Sequence, residues 1–231
     1  MKRVLRFAGW IAVAAIAIFL AVQLAFFARV WWWRDHDPEA TAFMKARLAQ
    51  MREKNPRAQL QHRWVVYARI SDNLKRAIVV AEDSRFIEHE GFDWEAIEKA
   101  REKNLKRGKV VAGGSTISQQ LAKNLFLSAS RTPWRKGQEA LITVMIEHLM
   151  DKRRILEIYL NVIEWGDGVF GAEAAARHYY GVPAASLGAE AAARLAAIVP
   201  DPRRYDHNRT SAFIARKTQT ILARMPAAEL P

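Results

Sequence analysis

An uninterrupted apolar segment from Phe7 to Ala28 is the feature that most constrains this chain of 231 residues. It reads FAGWIAVAAIAIFLAVQLAFFA, carries no charged side chain, and has Gln23 as its one strongly polar residue. As a helix, such a segment is long enough to cross the roughly 30 Å hydrocarbon layer of a bilayer. We therefore predict that residues 7–28 form a transmembrane anchor, outside the core of any folded domain.

The residues that flank this segment predict its orientation. Lys2, Arg3 and Arg6 precede it, and positive charge before a span favours a cytoplasmic N-terminus. The tryptophans at 31–33 follow it, where an aromatic belt is expected. A cleaved signal peptide is the competing interpretation, but the apolar run is long for one and ends without a persuasive small-x-small cleavage site. We favour an anchor, with residues 1–6 in the cytoplasm and the rest of the chain outside it.

Charge and cysteine content restrict the remaining classes of function. The formal net charge of +12 is compatible with nucleic-acid binding, but an exported chain meets anionic lipid headgroups and phosphorylated lipids instead. We therefore expect no nucleic acid as a partner. The chain contains no cysteine, so it has neither a disulfide framework nor a thiolate nucleophile.

Helical periodicity dominates the chain after the anchor, which predicts a mainly α fold. We expect a juxtamembrane segment and packing helix at residues 29–56, followed by one domain at residues 57–231. Asp37-Pro38 has the residue types of an N-cap and first turn, so the packing helix is predicted to begin there and to end at Asn55-Pro56. The run from Trp64 to Tyr67 is β-like, but it is too isolated to predict a sheet.

The stretch from Val79 to Gly91 places two adjacent carboxylates, Glu82 and Asp83, near the end of a predicted helix. Ser71 can cap that helix. Its apolar residues have the i, i+3, i+4, i+7 spacing of one buried face: Leu74, Ala77, Ile78 and Ala81. If the helix continues, Glu82 lies at the edge of this face and Asp83 on the opposite side.

Apolar surroundings disfavour the charged form of a carboxylate and bring its pKa toward neutral pH. Glu82 is therefore the better candidate for a general base. The alternative interpretation is that Glu82 and Asp83 are solvated charges at a helix end.

A glycine pair precedes the next helix in the run GGSTISQQLAKN, residues 113–124. Thr116 and Gln119 have the spacing of a capping box. Glycines before a helix N-terminus also let an anion approach the free N–H groups closely. A plain capped helix explains the same residues without a ligand. This motif alone therefore predicts either an anion site or a capped helix.

Cations cluster where Thr132-Pro133 predicts the start of a further helix: Arg131, Arg135 and Lys136. Positive charge there opposes the helix dipole, so these side chains either bind a shared anion or form a solvated face. Glu139 follows Arg135 by four residues and lies on the same helix face.

Together these motifs resemble the glycosyltransferase domain of bacterial peptidoglycan polymerases, especially the monofunctional biosynthetic peptidoglycan transglycosylases. The resemblance runs in order from about Trp64 to Tyr205. It consists of Glu82-Asp83 with Phe86, His89 and Gly91-Phe92-Asp93; residues 113–120 with Lys123 and Asn124; Arg131, Arg135, Lys136 and Glu139; Ile155-Leu156 and Tyr159-Leu160-Asn161; and the block from Gly166 to Gly181. Ser118 and Tyr180 depart mildly from it, since Thr and Phe are common there. The Ser-x-x-Lys motif of the penicillin-binding acyl-enzyme centre does not occur.

The resemblance implies a lysozyme-like α lobe and a smaller membrane-facing jaw, with a substrate cleft between them. It implies a protein of the bacterial inner membrane whose catalytic domain is periplasmic. The implied reaction polymerises lipid II into β-1,4-linked glycan strands, inverts the donor's configuration and releases undecaprenyl pyrophosphate. Lipid II, the growing strand and the membrane are the expected partners, and other proteins of cell-wall synthesis remain an open class of partner.

The resemblance also implies roles for individual residues. Glu82 would take the proton from the GlcNAc 4-hydroxyl of the incoming lipid II as that oxygen attacks C1 of MurNAc. Glu139 would orient the cations or share a divalent ion such as Mg²⁺ with the pyrophosphate, and no other cofactor is evident. The implied pyrophosphate and substrate contacts are Lys123, Arg131, Arg135, Lys136, Ser115, Thr116, Gln119, Gln120 and Asn124.

The sequence is also compatible with two other functions. A lysozyme-like hydrolase would also use a carboxylic acid in an α-rich cleft, but it needs no cations for a pyrophosphate. A membrane-anchored basic binding protein explains the anchor and the charge, but it leaves the ordered carboxylate and glycine motifs unexplained.

Overall fold

A computed structural model describes residues 2–109, 113–130 and 132–231. They fall into two compact units, one ending at Asp37 and the other running from Pro38 to Pro231. The first unit holds α1 (Lys2–Trp33). Among the described residues, Gly9–Trp33 is the one helical stretch long and apolar enough to cross a membrane, with 25 residues and a mean hydropathy of 2.6. This helix is compatible with a single-pass membrane anchor.

The second unit is built mainly from helices, which confirms the predicted fold class. Its α-helices are α2 (Ala42–Lys54), α3 (Asp72–Glu82), α4 (Trp94–Arg107), α5 (Ile117–Phe126), α6 (Pro133–Leu149), α7 (Lys152–Val162), α8 (Ala172–Tyr180), α9 (Ala189–Ile198), α10 (Pro202–His207) and α11 (Ala212–Arg224). Short 3₁₀ helices occupy Tyr67–Arg69, Ala184–Ser186 and Met225–Ala227. Three short strands form one sheet: β1 (Gln61–His62), β2 (Glu164–Gly166) and β3 (Val169–Phe170).

The start of α2 differs from the prediction. The helix begins at Ala42, because the Thr41 hydroxyl accepts a hydrogen bond from the backbone N–H of Met44 and so caps the first turn. The prediction that Asp37-Pro38 starts this helix was therefore wrong, whereas its predicted end at Asn55 is confirmed by the position of the C-cap.

The β-like run at residues 64–67 is not a strand. The backbone of Val65 bonds a side chain instead of another strand, since the buried Asn161 amide accepts from the N–H of Val65 and donates to its carbonyl, both at 2.9 Å. The strand lies earlier, at Gln61–His62, and pairs in parallel with β3, which is antiparallel to β2. Sequence periodicity missed this sheet because its strands are only two or three residues long.

The core forms where apolar helix faces meet. Helix α3 packs against α9 and α11, and α5 packs against α6 and α7. The predicted face of α3 is confirmed in its first three positions, because Leu74, Ala77 and Ile78 are fully buried. Four alanines of α9 are buried and allow close approach of the helices: Ala192, Ala193, Ala196 and Ala197. This packing fixes the end of α3 and one face of α5, where the candidate catalytic groups lie.

Two glycines should respond to alanine with opposite signs. Gly171 has a φ of 83°, and an added Cβ would lie 2.7 Å from the Asn161 carbonyl oxygen. Gly171→Ala should therefore lower the free energy of unfolding by about 2 kcal/mol or more. Gly137 lies within α6 with nothing within 4 Å of an added Cβ, so Gly137→Ala should raise it by about 0.5–1 kcal/mol. Urea unfolding of the detergent-solubilised chain, followed by circular dichroism, measures both; equal changes would contradict the packing described at Gly171.

Candidate functional site

Glu82 is the last residue of α3, and the helix that carries it is capped by Ser71 as predicted. Its Oε2 accepts a hydrogen bond of 3.0 Å from the Gln120 side-chain amide. Burial raises the pKa of Glu82 above its ordinary value, while the Gln120 hydrogen bond and the charges of Lys217 and Lys123 act in the opposite direction. The side chain thus has the property that the sequence predicted, a carboxylate whose charged form is disfavoured by its surroundings.

The prediction that Asp83 lies on the side of the helix opposite Glu82 required α3 to continue past Glu82, and α3 does not continue. The helix ends at Glu82, and Asp83 is its C-cap with extended φ of −164°, so the rotation of 100° per residue no longer applies. The Asp83 carboxylate is buried and accepts from the backbone N–H of Ile117 at 3.0 Å. It also lies 3.0 Å from Nε2 of His89.

The hydrogen bond from the N–H of Gly91 to Nδ1 of His89 fixes the proton of the neutral imidazole on Nε2. His89 therefore donates to Asp83. A second contact joins the same segment to the glycine-rich motif, because the Thr116 hydroxyl donates to the carbonyl of Gly91 at 2.7 Å. The stretch that ends at Gly91 is thereby held against the N-terminus of α5.

The predicted capping box at the start of α5 is confirmed. Thr116 and Gln119 each bond the other's backbone N–H, and both side chains are buried. Both were also predicted to contact substrate; in the structure the Thr116 hydroxyl and the Gln119 amide oxygen bond within the protein, and a substrate contact stays a prediction for both residues. Asn124 is likewise buried and donates to the backbone carbonyl of Gln120 at 2.7 Å.

Gln120 and Lys123 are the α5 side chains that interact with Glu82. Gln120 bonds Glu82 through its nitrogen and accepts from the hydroxyl of Tyr159 through its oxygen. Burial lowers the pKa of Lys123, an effect that Glu139 and Glu82 oppose and that Arg135 and Lys136 reinforce. Lys123 makes no hydrogen bond within the described part of the chain, and its ammonium lies 5.5 Å from the centre of the Phe43 ring.

The cations of α6 converge on Glu139. This buried carboxylate accepts from Arg135 at 2.5 Å through one oxygen and from Lys136 through the other. Lys136 also reaches the hydroxyl of Ser115 at 3.5 Å, so the glycine-rich motif and the cation cluster meet in space. Nε of Arg135 is buried and has no hydrogen-bond acceptor among the described residues. Arg131, the remaining predicted cation, lies outside the described residues.

Two cavities adjoin Glu82 and its hydrogen-bond partner Gln120. The larger has a volume of about 560 Å³ and is lined by polar residues of α5 and α6 among others: Gln120, Lys123, Asn124 and Arg135. The smaller, of about 160 Å³, is lined by Glu82 and by residues 113–116. Gln120 links the two, because it lines the larger cavity and bonds the carboxylate that lines the smaller one.

Sequence reasoning missed Lys217 of α11. Burial lowers the pKa of this lysine and the charge of Glu82 raises it, so the two side chains interact electrostatically. Lys217 lies three residues after Ile214 and four before Ile221, both buried. The sequence could have indicated Lys217 by its position, because it lies within the apolar stripe of an amphipathic helix, where a lysine needs a partner.

Comparison with known proteins shows the family of the chain. The family model described as Transglycosylase matches residues 47–226. This chain belongs to the transglycosylase family. A "Biosynthetic peptidoglycan transglycosylase" of Janthinobacterium sp. (strain Marseille) is 59% identical over 231 residues, covering 100% of both chains. A protein of the same name from Laribacter hongkongensis is 62% identical over 218 residues, or 94% of this chain and 96% of that relative. One from Nitrosospira multiformis is 60% identical over 216 residues, 94% of each chain.

Asp83→Asn should lower the free energy of unfolding by about 1–3 kcal/mol, because one amide N–H₂ would face a hydrogen-bond donor, either Ile117 N–H or His89 Nε2–H. Glu88→Gln is the control, since its carboxylate is 55% exposed. That change should cost less than about 0.5 kcal/mol. Equal unfolding curves for Asp83→Asn and wild type would contradict the buried role of Asp83.

Lys217→Met should raise the pKa of Glu82, because it removes a cation that favours the carboxylate form. A base must be unprotonated to act. With Glu82 as the base, transglycosylase activity should therefore fall several-fold on the acid side of the pH profile and recover as the pH rises. Lys217→Arg keeps the charge and should leave the profile near that of wild type. A uniform loss at every pH in Lys217→Met would show that the lysine acts through packing instead.

Proposed function

We propose that the chain, as a peptidoglycan glycosyltransferase of cell-wall synthesis, polymerises lipid II into β-1,4-linked strands and releases undecaprenyl pyrophosphate. The family match and the full-length relatives support the reaction class. The observation that carries the finer proposal is that α5 connects Glu82, a carboxylate of raised pKa, with Lys123, a cation that no described residue engages in a hydrogen bond. Gln120 bonds Glu82, and one turn further Lys123 enters the larger cavity.

Glu82 acts as the general base in this proposal. It removes the proton of the acceptor's GlcNAc 4-hydroxyl while that oxygen attacks C1 of the donor's MurNAc. A base works best when its pKa approaches the working pH, and burial moves Glu82 in that direction. Attack from the face opposite the leaving group inverts an α-linked donor to a β linkage, so no covalent glycosyl-enzyme is required.

The leaving pyrophosphate needs positive charge more than it needs a proton. Lys123 and Arg135 line the same cavity, and both offer donors that no described residue engages, the Lys123 ammonium and Arg135 Nε. Hydrogen bonds from cations to phosphate oxygens are among the stronger ones in proteins, and they strengthen as charge develops on the departing group. Lys136 and Arg131 complete the proposed set of cations.

Glu139 serves as the counter-ion that orients these cations. Both of its oxygens already accept hydrogen bonds, one from Arg135 and one from Lys136. Among the described residues, no three His, Asp or Glu side chains converge in a way that would hold a metal ion. Since cations engage both of its oxygens, we assign Glu139 to positioning.

The apolar helix α1 supports the proposed location. A span at Gly9–Trp33 would tether the enzyme beside a substrate that is itself held in the membrane by its polyprenyl chain. With the basic N-terminal residues in the cytoplasm, the domain would lie in the periplasm, at the outer face of the inner membrane.

The test is polymerisation of purified lipid II by the full chain in detergent micelles. Glu82→Gln should abolish strand formation, whereas Glu98→Gln on α4, with a carboxylate 61% exposed, should not. Lys123→Met should slow polymerisation by roughly ten-fold to a hundred-fold, since a charge-assisted contact is worth about 1.5–3 kcal/mol. Lys99→Met removes a lysine that is 72% exposed and serves as the matched control.

A hydrolase would give a different pattern of products. The proposal expects one undecaprenyl pyrophosphate per new linkage and no cleavage of finished strands. Cleavage of finished strands by wild type, with Lys123→Met cleaving them equally well, would replace the synthase with a lysozyme-like hydrolase.

A further inference from the structure

The hydroxyl of Tyr159 is a buried polar group that the proposed reaction does not use. The side chain lies on α7 with 0% exposure, and its hydroxyl donates to Oε1 of Gln120 at 2.9 Å. Among the described residues, this is the hydroxyl's one hydrogen-bond partner. A buried O–H that lost its acceptor would be strongly unfavourable, so Tyr159 constrains the group that it bonds.

Gln120 has two different ends, and each is engaged. Its oxygen accepts from Tyr159, and its nitrogen donates to Oε2 of Glu82 at 3.0 Å. An amide N–H₂ can bond an ionised carboxylate, whereas an amide oxygen can bond only a protonated one. Which end faces Glu82 therefore decides which protonation state of Glu82 the amide stabilises.

We propose that Tyr159 is a positioning residue that holds the nitrogen end of Gln120 toward Glu82 and so keeps Glu82 in its proton-accepting form. The catalytic consequence rests on the proposed function, in which Glu82 is the base. Rotation of the amide by half a turn would place its oxygen against Glu82. It would also place N–H₂ against the Tyr159 hydroxyl, which would lose its acceptor. Tyr159 disfavours that rotated state.

The other groups that face Glu82 do not depend on this orientation. Lys217 from α11 and Lys123 from α5 favour the carboxylate, while the neighbouring Asp83 and burial favour the protonated acid. These influences are present whichever way the amide points. Loss of the Tyr159 hydroxyl should therefore change only which end of the Gln120 amide faces Glu82.

The test uses Tyr159→Phe in the full chain. The Glu82 carboxyl is titrated by carbon NMR with labelled glutamate, assigned with Glu82→Gln, and polymerisation of lipid II is measured across the same pH range. We expect the Glu82 titration to move to higher pH. Polymerisation should fall roughly ten-fold on the acid side and approach the wild-type rate on the alkaline side. Tyr67→Phe is the matched control: that hydroxyl donates to the Pro231 carbonyl at 3.2 Å, and the control should titrate as wild type.

A double mutant shows whether Tyr159 acts through Gln120. Gln120→Leu should by itself raise the pH at which Glu82 titrates. Adding Tyr159→Phe to Gln120→Leu should then change that pH no further. An unmoved titration in Tyr159→Phe, or an equal loss of activity at every pH, would overturn the inference. If the NMR titration moves while the activity profile does not, the positioning role stands and the assignment of Glu82 as the base fails.

Discussion

The buried carboxylate of Asp83 connects the two helices on which the candidate site depends. It ends α3 and accepts the first backbone N–H of α5, where the positive end of the helix dipole favours a negative charge. His89 completes the contact, with its proton placed on Nε2 by Gly91. Because Glu82 precedes Asp83 and Gln120 follows one turn into α5, this link sets the distance between the base and the amide that bonds it.

Charge in the site is divided between groups that neutralise each other and groups that remain available. Glu139 engages Arg135 and Lys136, so a buried carboxylate holds two cations in place. Lys123 stays outside that pairing while interacting electrostatically with both Glu139 and Glu82. A cation held in this way can meet an incoming anion without first breaking an internal ion pair, which lowers the cost of binding.

Local sequence signals predicted the parts of the site that depend on neighbours in the chain. The Ser71 cap, the Thr116–Gln119 box and the Arg135–Glu139 pair all depend on spacings of two to four residues along one helix, and all three are present. The face predicted for Asp83 required α3 to continue past Glu82, and α3 does not continue.

Contacts between distant segments could not be read from periodicity. The bonds from Tyr159 to Gln120 and from Asn161 to Val65 join residues 39 and 96 positions apart. Only the folded chain brings such side chains together. Lys217 combines a local signal with a distant contact. Its place in an apolar stripe was visible in the sequence, but its partner was not.

The arrangement around Glu139 bears on whether the site suits transfer from a pyrophosphate or hydrolysis of a glycan. Cleaving a glycan bond requires an acid that gives a proton to a sugar oxygen as it leaves. Each oxygen of Glu139 already accepts a hydrogen bond from a cation, so Glu139 is not that acid, and Glu82, with its raised pKa, is the carboxyl group left for that role. A pyrophosphate leaves without such an acid and is stabilised by cations instead. Lys123 and Arg135 line the cavity beside Gln120 and supply such cations, so the site fits a donor that departs as an anion better than one that departs as an alcohol.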